Sequence, residues 1–134
     1  MISMNVEVGA KITRTKTFTD ADVRGFAQVS GDTNPIHLDD AYAAATRFGQ
    51  RIVHGMLTTS LISAALANDL PGEGTVYLSQ TLQFKAPVFV GETLTATLEV
   101  TKFRAERRIA TLSTICTNQD GKVVLEGEAV VLVP

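Results

Sequence analysis

The pattern of apolar and polar positions changes along the chain, from helical spacing in the first half to strict alternation in the second. Across residues 93–101, leucine, alanine and valine alternate with threonine and glutamate, and the apolar positions are Leu94, Ala96, Leu98 and Val100. A period of two predicts an antiparallel strand with one buried and one wet face. Asn118-Gln-Asp-Gly121 is a turn signal, which predicts a hairpin between strands over 109–117 and 122–133.

The first half of the chain predicts a strand followed by a capped helix. Residues 11–18 are rich in threonine, which is typical of a strand. Thr19 is placed to cap a helix whose first turn carries Asp20 and Asp22, acidic residues that the helix dipole favours. Gly31 suits the C-terminal exit of this helix. The helix face that we expect to be buried comprises Val23, Phe26, Ala27 and Ser30.

Two further helical segments follow. Pro35 discourages an immediate return to helix, so the next short helix is expected over 41–46. From Gly55 to about Leu66 apolar residues cover most of the helix circumference, which predicts a buried helix. Pro71, Gly72 and Gly74 end it. The predicted architecture is of the α+β class, a curved antiparallel sheet wrapped around one buried helix.

Composition narrows the class of protein. The chain has 134 residues, 45% of them hydrophobic and 19% charged, so we expect one ordered domain over residues 1–134. A net charge of −2 lacks the footprint of a nucleic-acid-binding protein. The longest apolar run falls short of the ~20 residues that a membrane span needs, and the first residues lack the features of a signal peptide. The single cysteine, Cys116, cannot form an internal disulfide, which favours a location in the reducing cytoplasm. Its alternating, strand-like segment predicts that its side chain is buried.

Residues 30–37, Ser-Gly-Asp-Thr-Asn-Pro-Ile-His, place three polar side chains on one short loop constrained by proline. The imidazole of His37 titrates near neutrality, so it can take or give a proton at working pH. The carboxylate of Asp32 can hold the same water molecule or orient the ring, and the amide of Asn34 can fix either partner. Such a cluster suits the deprotonation of water and the later delivery of a proton to carbon.

The start of the helix at Gly55 supplies the complementary chemistry. The first backbone N–H groups of a helix are unpaired and carry partial positive charge. Glycine leaves room for a ligand oxygen to approach its N–H closely. A thioester carbonyl held there would be stabilised while enolate charge develops, by about 3–4 kcal/mol for a well-aimed donor.

Structural roles compete with these chemical ones. Asp32 and Asn34 also suit a turn and capping device, since both side chains bond nearby backbone. His54, the other histidine of the chain, fits a buried core position at a helix start. A metal site built from Asp32, His37 and His54 is conceivable, but no compact ligand spacing supports it.

A basic cluster lies near a predicted hairpin turn, and it comprises Lys102, Arg104, Arg107 and Arg108. It suits either the phosphates of a nucleotide-bearing substrate or a solvated turn, and we favour the turn. The segment Pro71-Gly-Glu-Gly74 lacks the lysine and the strand–loop–helix context of a phosphate-binding loop.

Three stretches resemble the MaoC-like (R)-specific enoyl-CoA hydratases. Ser30-Gly-Asp-Thr-Asn-Pro-Ile-His37, followed by Ala41-Tyr-Ala43, is similar to the family signature. Ile52-Val-His-Gly-Met56 is similar to its second landmark, and Phe84-Lys-Ala-Pro-Val-Phe-Val-Gly-Glu92 to a strand that leads into a turn. The resemblance covers essentially the whole chain and is strongest to the small stand-alone bacterial hydratases linked to polyhydroxyalkanoate synthesis.

The resemblance implies a hot-dog fold, with the helix after Gly55 inside the sheet, and a homodimer or higher homo-oligomer. It implies that Asp32 and His37 activate water and return the proton, with Asn34 in a supporting position. The Gly55 N–H would hold the thioester oxygen, and Ser63 would place a hydroxyl near the site unless it is merely a small residue in a packed helix.

The implied reaction is the reversible hydration of a trans-2-enoyl-CoA to an (R)-3-hydroxyacyl-CoA, without a metal or redox cofactor. A thioesterase is an alternative, because the same fold hosts thioester hydrolysis. A non-catalytic acyl-CoA-binding subunit is another. The spacing of Asp32 and His37 argues for hydration.

Overall fold

The computed structural model describes residues 6–134 of the chain. The elements, in chain order, are β1 (Lys11–Thr17), α1 (Asp20–Ser30), α2 (Pro35–Leu38), α3 (Asp40–Ala44), α4 (Gly55–Asn68), β2 (Val76–Phe84), β3 (Thr93–Arg104), β4 (Ile109–Thr117) and β5 (Val123–Leu132). The prediction that the chain begins without a signal peptide falls mostly on residues 1–5, outside this range.

The five strands form one antiparallel sheet in the order β1-β3-β4-β5-β2. The alternation read from residues 93–101 is confirmed, because the apolar positions of β3 are fully buried and the residues between them are partly exposed. The predicted hairpin is also confirmed. Gly121 has a φ of 80° and its N–H donates to the Asn118 carbonyl at 3.0 Å, which closes the turn between β4 and β5.

Helix α4 is the buried helix that the sequence predicts, and it is two residues longer than expected. Leu61, Ile62 and Ala65 are at most 2% exposed. They belong to one apolar cluster with the inward side chains of the sheet, including Leu98 and Leu112. Over residues 6–134, no helix is both long and apolar enough to cross a membrane.

Helix α1 begins and ends as its sequence indicates. The Thr19 hydroxyl accepts the Asp22 N–H, and the Asp22 carboxylate accepts the Thr19 N–H, a reciprocal capping box. Gly31 leaves the helix with a φ of 81°, which glycine adopts without steric cost. The prediction that Ser30 faces the core is wrong. Ser30 is exposed, and its hydroxyl donates to the carbonyl of Phe26 one turn earlier.

The prediction that Pro35 delays the next helix is wrong. Pro35 is the first residue of α2, a position that needs no N–H donor and suits the fixed φ of proline. The following helix, α3, exists as predicted, but it begins and ends earlier than the expected 41–46, at Asp40 and Ala44, with Asp39 as its N-cap. Cys116 is fully buried as predicted, and burial raises the pKa of its thiol to about 12.

Candidate active site

The loop between α1 and α2 brings the carboxylate of Asp32 next to the start of α2. Its Oδ1 accepts the Asn34 N–H at 3.3 Å, and Asn34 Oδ1 accepts the Ile36 N–H at 3.2 Å. The capping role considered for these two residues is therefore confirmed. The support that Asn34 would give to catalysis stays a prediction.

His37 is held in one tautomer by a main-chain carbonyl. The ring is 8% exposed, and its Nδ1 lies 2.8 Å from the Ile52 oxygen. A carbonyl only accepts hydrogen bonds, so Nδ1 must carry the proton. In the neutral ring, Nε2 is then the nitrogen with a free lone pair. This arrangement fixes which nitrogen of His37 can act as a base.

His54 lies directly against His37, with ring centroids 3.8 Å apart in a stacked arrangement. It is 2% exposed, and its Nε2–H donates to the Asp32 carbonyl at 3.1 Å. Its Nδ1 has no hydrogen-bond partner within residues 6–134. Desolvation lowers the pKa of His54, because a proton on Nδ1 would be buried without an acceptor. The prediction of a core histidine is confirmed, and the contact also ties α4 to the Asp32 loop.

Gly55 is the first residue of α4, and the helix start is open. His54 is the N-cap residue but makes no side-chain capping bond, so the first N–H groups are left to other partners. A Cβ on Gly55 would lie 2.7 Å from Cε1 of Phe84. The absence of a side chain at position 55 therefore allows the Phe84 ring to pack over the beginning of the helix.

A cavity of about 560 Å³ joins the loop to this helix start. Its lining is mostly apolar and comprises Asp32, Phe48, Ile52, Val53, His54, Gly55, Met56, Thr58, Phe84, Lys85, Ala86, Pro87, Val88 and Val124. Ser63 is not among these residues; it is half-buried farther along α4. The sequence reasoning recognised the stretch from Phe84 to Val88 as a family feature but did not assign it to the site.

The three candidate metal ligands lie close together, but their rings are not oriented to bind one ion. One candidate ligand atom from each of Asp32, His37 and His54 lies within 4.8 Å of the others. The two rings are inclined by only 26°. Imidazole lone pairs lie in the ring plane, so stacked rings aim them side by side rather than at a common ion with tetrahedral angles. The arrangement fits a proton-transfer pair better than a metal centre.

The basic cluster lies far from this cavity within the chain. Both Val76 and Ile109 pair with Leu132, so the β3–β4 turn is at the end of the sheet where β2 begins. The cavity is at the other end, beside Phe84. The nine residues of β2 separate the two by roughly 25 Å. The cluster is exposed, in agreement with the solvated turn that the sequence favours.

Comparisons with known proteins identify the family. Residues 4–119 match the model of the MaoC like domain. The (R)-specific enoyl-CoA hydratase of Aeromonas caviae is 50% identical over 134 residues, covering all of both chains. The 3-hydroxybutyryl-CoA dehydratase of Methylorubrum extorquens is 49% identical over 130 residues, which is 97% of this chain and 82% of that one.

A solved structure gives the same result. The (R)-hydratase from A. caviae involved in PHA biosynthesis superposes with a TM-score of 0.94 at 51% identity, covering 97% of this chain and 98% of the other. The chain therefore belongs to the MaoC-like family and has its hot-dog fold.

Proposed function

We propose that this protein is an (R)-specific enoyl-CoA hydratase, which adds water reversibly to a trans-2-enoyl-CoA to give an (R)-3-hydroxyacyl-CoA. The observation that carries the proposal is the convergence of two features on one cavity. Asp32 and the uncapped start of α4 at Gly55 both line it. The buried His37 lies just behind the lining, stacked on His54. Full-length relatives with this activity support the assignment.

Asp32 and His37, the proton-transfer pair, are proposed to bind and activate the water molecule. Because Nδ1 of His37 is committed to the Ile52 carbonyl, its Nε2 and the Asp32 carboxylate offer two acceptors for the two hydrogens of one water molecule. Withdrawal of one proton lets the water oxygen bond to C3 of the enoyl chain. The pair then returns that proton to C2. General acid–base assistance of this kind contributes about 100- to 10,000-fold in rate.

The open start of α4 is proposed to stabilise the negative charge that develops on the thioester oxygen. Addition at C3 moves electrons through C2 onto the thioester oxygen, which becomes enolate-like. The N–H of Gly55 is proposed to hold that oxygen, with the α4 dipole adding to the effect. The role of Ser63 as a substrate contact stays part of the proposal, and its test is the effect of Ser63→Ala on KM.

The proposal treats residues 1–134 as one domain that acts in the cytoplasm, without a resident metal or redox cofactor, and as a homodimer. The edge strand β2 supports the dimer. It exposes Val76, Leu78 and Phe84 by 50–53%, and an exposed apolar edge is normally covered by another chain. Light scattering of Leu78→Lys should then report a lower mass than that of the wild type. An unchanged dimer mass would place the interface elsewhere.

The test of the function is a spectrophotometric assay with crotonyl-CoA. Wild type and His37→Gln are run side by side, with an (R)-specific dehydrogenase to identify the product and a free-thiol reagent to detect CoA. We expect loss of the enoyl-thioester absorbance, an (R)-alcohol, no free thiol and an inactive variant. Release of CoA would support a thioesterase instead. Tight acyl-CoA binding without turnover would support a binding subunit.

A further inference from the structure

Residues 51–53 form an extended segment that is fixed on both sides. On one side, the Val53 N–H donates to the Val88 carbonyl at 2.7 Å, and Ile52 makes a bridge with Phe89. On the other side, the Ile52 N–H donates to the Ile36 carbonyl at 3.3 Å. The segment thus connects the sheet-side wall of the cavity to α2, the helix that carries His37.

Arg51 strengthens this connection with all three of its donor groups. Its Nη1 donates to the His37 carbonyl at 3.0 Å. Its Nη2 donates to Asp20 at 2.7 Å and its Nε to Asp40 at 2.8 Å. The guanidinium therefore joins the first turns of α1 and α3 to the main chain of His37.

The side chain of Arg51 is largely buried, so its ion pairs with Asp20 and Asp40 differ from those between two solvated side chains. The side chain of Arg51 is 10% exposed, whereas that of Asp40 is 88% exposed. Arg51 lowers the pKa of the Asp20 carboxyl and is the largest cause of that shift, while the two carboxylates raise the pKa of the guanidinium. Arg51 thus stays charged, and its fork geometry is matched to three acceptors at once.

Two adjacent residues, Arg51 and Ile52, therefore hold His37 in place. Arg51 bonds its carbonyl, and the carbonyl of Ile52 accepts its Nδ1–H. The first contact sets where the His37 backbone lies, and the second sets the ring orientation and tautomer. Loss of the first contact shifts the ring relative to Asp32 without removing any group that touches substrate.

We propose that Arg51 is a positioning residue that fixes His37 for proton transfer, acting through the His37 main chain. The inference rests on the proposed hydratase function for its kinetic readout only. Misplacement of a reacting group by about 1 Å is enough to cost roughly 100-fold in rate. Arg51→Gln should accordingly lower kcat by about tenfold to a hundredfold, while KM changes by less than about threefold.

Arg24→Gln is the matched control. Arg24 also bonds Asp20, at 3.0 Å, and its Nη2 donates to the carbonyl of Leu38, the residue after His37. It does not touch His37, so we expect kcat to stay within about twofold of the wild type. Arg51→Lys keeps the charge but has one nitrogen for three acceptors. It should fall between wild type and Arg51→Gln.

A second readout does not depend on activity. In ¹⁵N-edited NMR spectra of the intact protein, the Nδ1–H of His37 should give a slowly exchanging signal, because Ile52 accepts it. Arg51→Gln should shift the signal or speed its exchange, and Arg24→Gln should leave it unchanged. An unaltered signal and an unaltered kcat in Arg51→Gln would overturn the inference. If the NMR signal changes in Arg51→Gln but the wild type hydrates no enoyl-CoA, the proposed function alone would be overturned.

Discussion

The helices described in residues 6–134 begin in two different ways. In each of α1, α2 and α3, the side chain of the N-cap residue accepts a backbone N–H of the first turn. The N-cap residues of these closed starts are Thr19, Asn34 and Asp39 respectively. α4 begins at Gly55 after a histidine that makes no such bond. At α4 the Leu57 and Thr58 N–H groups bond the His54 carbonyl, and no capping side chain competes with a ligand for the N–H groups before them.

The cavity lies beside both kinds of helix start, because Asp32, two residues before the Asn34 cap of α2, and Gly55, the first residue of α4, both line it. Helix α2 carries His37 and follows the loop that holds Asp32. The open start of α4 supplies N–H donors without a competing side chain. The side chain that would have capped α4, His54, reaches back to the Asp32 carbonyl instead. We therefore propose that proton transfer takes place beside the closed start and charge stabilisation at the open one.

Among changes at the helix starts, the largest expected effect comes from removing the donor at the open start. Gly55→Pro deletes the N–H at the first helical position, where proline is tolerated, and the ψ of 133° at His54 suits a residue before proline. We expect kcat for crotonyl-CoA hydration to fall by about 100- to 1,000-fold, the usual effect of losing one oxyanion donor.

Gly55→Ala is the matched control for that change. Its Cβ meets the same Phe84 ring at 2.7 Å, so the alanine and the proline variants both require that ring to shift. The alanine variant keeps the N–H, so its loss of kcat should be much smaller. Equal losses in the two variants would mean that crowding against Phe84, and not the missing donor, accounts for the effect.

A smaller effect is expected at a closed start. Asn34→Ala removes the cap of α2 and should lower the free energy of unfolding by about 1 kcal/mol, whereas Asn34→Ser retains a capping oxygen and should lose much less. Chemical denaturation of both variants measures this difference. If the serine variant keeps its stability but loses activity, the amide of Asn34 serves the catalytic pair as well as the helix.

The smallest effect is a pH dependence of stability from His54. Burial holds the pKa of His54 below its ordinary value of 6.5. As pH falls below that value, the unfolded chain binds a proton that the folded protein does not, so stability falls until the folded pKa is reached. The Asp20 carboxyl, whose folded pKa lies below 3.8, affects stability only in a more acidic range.

His54→Gln tests this pH dependence, because glutamine keeps a donor for the Asp32 carbonyl but does not titrate. Melting temperatures measured between about pH 7.5 and pH 5 should decline less steeply in the variant than in the wild type. Parallel declines would show that His54 does not bind protons differently in the folded and unfolded states.

Local patterns in the sequence were enough to predict most of the fold. The alternation through Leu94 and Leu98 predicted β3, and the apolar run after Gly55 predicted α4. Pro35 was misinterpreted, because a proline both ends helices and suits their first position. The deciding signal is local, since the side chain of Asn34, directly before Pro35, caps α2 by accepting the Ile36 N–H.

The candidate site could be predicted only in part. Asp32 and His37 are close in the sequence, in the loop before α2 and in α2 itself, so their proximity follows from the sequence. The contacts of His37 with Arg51 and Ile52 join residues 14 and 15 positions apart, and no spacing rule predicts them. Phe84 comes from a strand far along the chain, and its contact with Gly55 depends on the sheet order.

The most direct test of the account compares Asp32→Asn with Asp39→Asn in steady-state hydration of crotonyl-CoA. Asp39 caps α3 on the same stretch of chain, and asparagine caps equally well. This control therefore removes one nearby charge and leaves the lining of the cavity unchanged. We predict that Asp32→Asn lowers kcat by about 100- to 10,000-fold and that Asp39→Asn leaves it within about twofold. A near-normal rate in folded Asp32→Asn would contradict the assignment of proton transfer to this loop.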